Sequence, residues 1–140
     1  MTVYISRAVP FLPYIALVTS EKDYIKEMKR LKVKKYDWGS WITKGKSARV
    51  AVFTGEQGDV VCIVCIDGES KEALDRSEEG RAKVSGLLIH EAAHVWQQTK
   101  QVIGEDDPSP EFEAYAMQHI GQSLIYEFNV LINKRLAKEK

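Results

Sequence analysis

The sequence predicts an α+β domain in which a strand hairpin in the middle of the chain is followed by two helices. Three observations carry this. Residues 48–54 and 59–66 are rich in Val, Ile, Ala and Phe, and Gly55-Glu56-Gln57-Gly58 between them is a hairpin turn signal. Residues 81–101 contain no proline and keep an apolar pattern of helical period. A turn-rich stretch, 104–110, then leads through Pro110 into a second helical run. With 140 residues, 44% of them hydrophobic and 29% charged, the chain has the size and composition of one globular domain with a sizeable core. It shows no internal repeat and no low-complexity linker.

Taken in order, the first apolar run covers residues 9–18. Pro10 and Pro13 break it, Arg7 is the only positive charge before it, and no small-residue cleavage site follows. It is therefore not read as a signal peptide, no run reaches membrane-spanning length, and the expected location is the cytoplasm. Residues 20–31 predict a helix with Ser20 as N-cap, Asp23 in the capping-box position, and Tyr24, Met28 and Leu31 facing inward. Residues 22–35 carry seven Lys or Arg against Asp23 and Glu27. The plain reading is a solvated helix face; the sharper one is a docking patch for an acidic partner. Residues 36–43, with Trp38 and Trp41, suggest another strand.

The cysteines, Cys62 and Cys65, fall within the second hairpin strand. Residues three apart on a strand point to opposite faces, so the pair suits neither a disulfide nor a shared metal. Buried structural thiols, in keeping with a reducing compartment, are expected. Residues 67–81 are acidic and predict a loop with a short helix.

Within the long helix lies His90-Glu91-Ala92-Ala93-His94, of the form His-Glu-x-x-His. Residues four apart on a helix are only about 40° apart around its axis, so both imidazoles can hold one zinc. Glu91, beside the first ligand, is placed to act as a base on water at the metal. A random chain of this length would show the pattern roughly once in several hundred cases, so its surroundings matter. Val84, Leu87, Leu88 and Ile89 lead into it, and Val95 and Trp96 follow. This predicts a buried helix, in which polar side chains need partners. Gly86, one turn before His90, leaves room for a close approach. Residues 67–81 are expected to cover one side of this site.

A catalytic zinc needs a third protein ligand and an open position. The candidates are Glu111, Glu113 and His119. Counted at 100° per residue from Glu113, Met117, Ile120 and Leu124 fall within about 40°, while Glu111 lies about 160° away and His119 about 120°. Glu113 is thus on the apolar stripe, where a carboxylate is costly unless paired or metal-bound. It is the predicted ligand, with a salt-bridged carboxylate as the alternative. Glu111 is expected to be solvated near the helix N-terminus, and His119 an ordinary, partly exposed helix residue.

His-Glu-x-x-His, eighteen residues, then Glu113-Ala114-Tyr115 resembles the gluzincin branch of the zincin metallopeptidases. "LLIHEAAHVWQ" followed by "EFEAYAMQHI" is similar to small metallopeptidase-like domains encoded by phages and prophages, chiefly over residues 84–125. The resemblance implies a minimal zincin-like fold, a small β-sheet packed on the motif helix and a following third-ligand helix. It also implies His90, His94 and Glu113 as Zn2+ ligands, Glu91 as general base, and a host cytoplasm for a phage-encoded protein. The chain has no room for the separate helical domain of large gluzincins. The expected function is zinc-dependent hydrolysis of a peptide or protein substrate. The alternative is a zincin-fold binding or assembly protein whose zinc site is structural or vestigial. A net charge of zero gives no general electrostatic case for nucleic acid or membrane partners. In the arrangement the chain resembles, an extended peptide lies along a strand edge beside the motif helix. Val60–Ile66 is the strand expected to offer that edge.

Overall fold

The computed structural model describes residues 2–7, 12–55 and 57–139. Strand β4, Val60–Ile66, is the apolar centre of a four-stranded sheet. On one side it pairs antiparallel with β3, Ala48–Thr54, in a register running from Ala48 opposite Ile66 to Thr54 opposite Val60. The hairpin expected from the sequence is present. Gly58 at its turn has φ +86, the left-handed region that favours glycine, and Gly55 N–H donates to the Asp59 carbonyl at 2.7 Å. Glu56 lies outside the described residues. On its other side β4 pairs parallel with β2, Tyr14–Val18, and β1, Val3–Tyr4, closes that side antiparallel to β2.

The sequence reading assigned no strand to residues 14–18. Pro13 interrupts the apolar run there, but it only precedes the strand, where a missing N–H is tolerated. Residues 9–11 of that run lie outside the described residues. The strand expected at 36–43 is absent. Lys35–Asp37 forms a 3-10 turn, and the residues after it run on as loop, with Trp38, Trp41 and Ile42 packed as a lid on the sheet. The indole N–H of Trp38 donates to the Val33 carbonyl at 2.8 Å, and the Tyr24 hydroxyl donates to the Trp38 carbonyl. Tryptophan side chains here cover a core instead of alternating along a strand.

Both sheet faces are covered, so the central strands are apolar on both sides. Ala16, Val18, Val61, Ile63 and Cys65 meet Tyr24 and Met28 of α1, Glu21–Arg30. Ser20 caps α1 as expected, accepting from Asp23 N–H at 3.1 Å. Glu27, also on α1, is buried and held by Tyr4 and Arg30: the Tyr4 hydroxyl donates to it at 2.6 Å and Arg30 Nε at 2.7 Å. Burial, followed by the Glu27 carboxylate, pushes the Tyr4 hydroxyl up to about 12.

On the opposite face Ile15, Leu17, Cys62, Val64 and Ile66 pack under two long helices, α3 (Glu78–Ile103) and α4 (Pro110–Lys138). A short helix, α2 (Lys71–Leu74), precedes them and adds Ala73 to this core. Ser77 caps α3, accepting from Gly80 N–H. Gly80 is required here, because a Cβ would lie 2.3 Å from the Asp75 side chain and 2.6 Å from its carbonyl oxygen. Gly104, with φ +70, ends α3, and Glu105 N–H returns to the Lys100 carbonyl. Pro110 starts α4, as the sequence indicated, and Ser109 caps it, accepting from Phe112 N–H at 3.2 Å. Among the described residues, no helix is long and apolar enough to cross a membrane.

Cys62 and Cys65 are both buried free thiols on opposite faces of β4. Burial pushes their pKa values up to about 11 and about 12. Thiolate is the reactive form. Native protein at pH 8 is therefore expected to resist iodoacetamide, and both thiols should alkylate within minutes in denaturant. Mass spectrometry of the native sample showing rapid modification would contradict this burial.

Candidate functional site

Helix α3 turns one side to the core. Val84, Leu88, Ala92, Val95 and Thr99 are buried there. His90 and His94 lie about 160° and about 120° away from the middle of that side and are exposed, so the burial expected around the two imidazoles is not found. Their ring nitrogens nevertheless converge, with Nε2 of His90 3.2 Å from Nε2 of His94. Two nitrogens each about 2.0–2.1 Å from one tetrahedral zinc lie about 3.3 Å apart, so the pair fits two ligands of such an ion. The His94 Nδ1 faces Gln97 Oε1 at 3.0 Å, one turn further along α3. Sequence reasoning missed Gln97, although the i, i+3 spacing from His94 was a signal.

Glu91 sits between this exposed face and the core. It is only 4% exposed, and no hydrogen bond from a described residue reaches it. Burial raises its pKa above the ordinary carboxylate value, and His90 and His94 draw it partly back. A raised pKa beside a histidine pair is what a proton-transferring carboxyl needs.

An open cleft of about 830 Å³ runs from His90, Glu91 and His94 across Leu87 to Val50 and Val52 of β3, with residues 43 and 45–47 as its far wall. Gly86, on the histidine side of α3, has nothing within 4 Å of a Cβ built on it, so this flank is open. Residues 67–81 were expected to cover one side and do not line the cleft. Ala73 belongs to the core, and Arg76 donates to Asn129 of α4 at 2.8 Å.

The strand beside α3 is also different from the one expected. Val60–Ile66 has both edges paired, to β2 and to β3, and cannot receive a peptide. The strand order β1-β2-β4-β3 leaves the outer edge of β3 free among the described strands, and that edge borders the cleft.

The structure does not bring Glu113 to the histidine pair. Its Oε2 accepts from the Trp96 indole N–H at 2.8 Å and lies 3.7 Å from Lys100 Nζ. Trp96 is about 160° around α3 from His94 and about 120° from His90. The helical phase of α4 is as expected, since Ile120 and Leu124 are buried and Met117 packs against them. Glu113, in the first turn, lies at the margin of that stripe, with its side chain 43% exposed. Here a tryptophan N–H and a lysine supply the partners that a metal would otherwise have supplied. Glu111 is exposed. His119 Nε2 donates to the Ser6 carbonyl at 2.7 Å and so ties α4 to the N-terminal segment. Among the described residues, no group of three or more His, Cys, Asp or Glu is arranged to hold a metal ion. Comparisons with protein-family models, with curated proteins and with solved structures find no match for this chain.

Proposed function

We propose that this is a zinc-dependent peptidase whose metal is held by His90 and His94 and whose general base is Glu91. The observation that carries this reading is the 3.2 Å approach of the two Nε2 atoms beside a buried carboxyl with a raised pKa. Zinc, when bound, acts as a Lewis acid on a carbonyl and makes water at the site acidic, with a pKa of about 7. The chain's own groups do the rest. Glu91 takes a proton from the attacking water and returns it to the leaving amine. The free edge of β3 pairs with an extended peptide through backbone hydrogen bonds, which tolerates many sequences. Val50 and Val52, which line the cleft, give that peptide apolar contact.

A second reading is a zincin-fold binding or assembly protein with a structural or vestigial metal site. The engagement of Glu113 by Trp96 and Lys100 favours it, because a peptidase of the zincin type takes a third ligand from this helix. One variant set separates the two. Zinc content of purified protein should be about one per chain, and His90→Ala and His94→Ala should each abolish it. Loss of zinc in Glu113→Ala would mean that the first turn of α4 leaves Trp96 and reaches the metal, and would favour the peptidase reading. Retained zinc in that variant, with no peptide cleaved by the parent protein, would leave the binding reading. Zinc retained in both histidine variants would sink the metal site altogether.

A further inference from the structure

The two histidines are not an isolated pair. Gln97 Oε1 is 3.0 Å from His94 Nδ1, and His94 Nε2 is in turn 3.2 Å from His90 Nε2. An amide oxygen can only accept, so the imidazole nitrogen facing it must carry the proton. His94 then has its proton on Nδ1 and a bare lone pair on Nε2. His90 Nε2–H donates to that lone pair when no metal is present. Neutral histidine in water prefers the other tautomer, so the arrangement needs a fixed acceptor at Nδ1. Spacing explains how Gln97 supplies it: positions three apart on α3 are neighbours on one helix face.

We infer that Gln97 is a positioning residue for His94, its amide oxygen holding the proton on Nδ1 and turning the Nε2 lone pair toward His90. The ring is thereby set to bind a divalent ion without a change of tautomer or rotamer. The tautomer part stands on the hydrogen-bond geometry alone; the part concerning metal affinity rests on the zinc reading above. Gln97 also lines the cleft, and its effect on the metal is exerted through His94. Because the residue is exposed on the helix surface, replacing it leaves the core of α3 intact.

The test uses metal-free, full-length protein at a pH of about 8 or above. Long-range proton–nitrogen NMR reports which ring nitrogen of each of the three histidines is protonated, with His119→Asn used to assign the spectrum. Wild type and Gln97→Glu, which keeps an acceptor oxygen, should show His94 as the Nδ1–H form. Gln97→Leu should show the Nε2–H form with unchanged circular dichroism. Zinc competition against a chromophoric chelator should then give about a 10-fold weaker affinity for Gln97→Leu and near-wild-type affinity for Gln97→Glu. An Nε2–H His94 in wild type, the result if the amide were turned over and donated to Nδ1, would overturn the inference. So would a tautomer unchanged by Gln97→Leu, even if zinc binds. The expected tautomers with no zinc binding in any protein would uphold the positioning role and overturn the zinc reading instead.

Discussion

Glu91→Gln should bind zinc as the parent protein does and lose hydrolysis of any peptide the parent cleaves, by a factor of at least about 10² to 10⁴. The substitution keeps the size of the side chain and removes only its ability to take a proton. Glu91 is buried, and no described group donates to it or pairs with it. The variant therefore breaks no hydrogen bond, and its folding should be unimpaired. Zinc content, circular dichroism and peptide cleavage measured on one preparation separate the effects. Cleavage by Glu91→Gln at a rate near that of the parent would refute the general-base role. Equal loss of zinc and activity would show that Glu91 supports the metal site and not the proton transfer.

Phe128→Ala should be the most damaging substitution for folding, at about 3–5 kcal/mol of a total of roughly 5–15 kcal/mol for a domain of this size. Phe128 of α4 is 1% exposed, in the cluster that joins Leu17 and Val64 of the sheet to Leu88, Ala92 and Val95 of α3. Removing the ring leaves a cavity between three elements that are each pinned elsewhere, so little of it can collapse. Urea denaturation reads the effect directly, and a loss below about 1 kcal/mol would mean that α4 is less firmly packed than the structure shows. Chelation of metal should cost much less. A metal that bridges two helices turns binding energy into folding energy. His90 and His94 are one turn apart on the same helix, and Glu113 of α4 is engaged with Trp96, so α3 and α4 are held together by their apolar contacts.

Several features were legible from residues alone because their causes are local. The hairpin from Ala48 to Ile66 follows from two short runs rich in β-forming apolar residues and a glycine turn between them. The cap at Ser20 follows from a side chain that reaches the first turn of its own helix. Strand alternation placed Cys62 and Cys65 on opposite faces, and helical spacing turned His90 and His94 the same way. The α+β class follows from the same local signals.

What the tertiary structure decided depends on which elements become neighbours, and no local pattern encodes that. Residues 14–18 joined β4 as a parallel partner, a pairing that requires the long excursion through α1 and β3. That pairing filled the second edge of β4 and moved the open edge, and with it the cleft, to β3. Trp38 and Trp41 became a cover for the sheet face that α1 leaves bare. Periodicity put Glu113 near the inward face of α4, but the flank of α3 that α4 packs against is the Trp96 and Lys100 side, not the histidine side. A helical wheel fixes directions around one axis; the side on which a second helix docks is set by how both bury their apolar faces on a shared sheet.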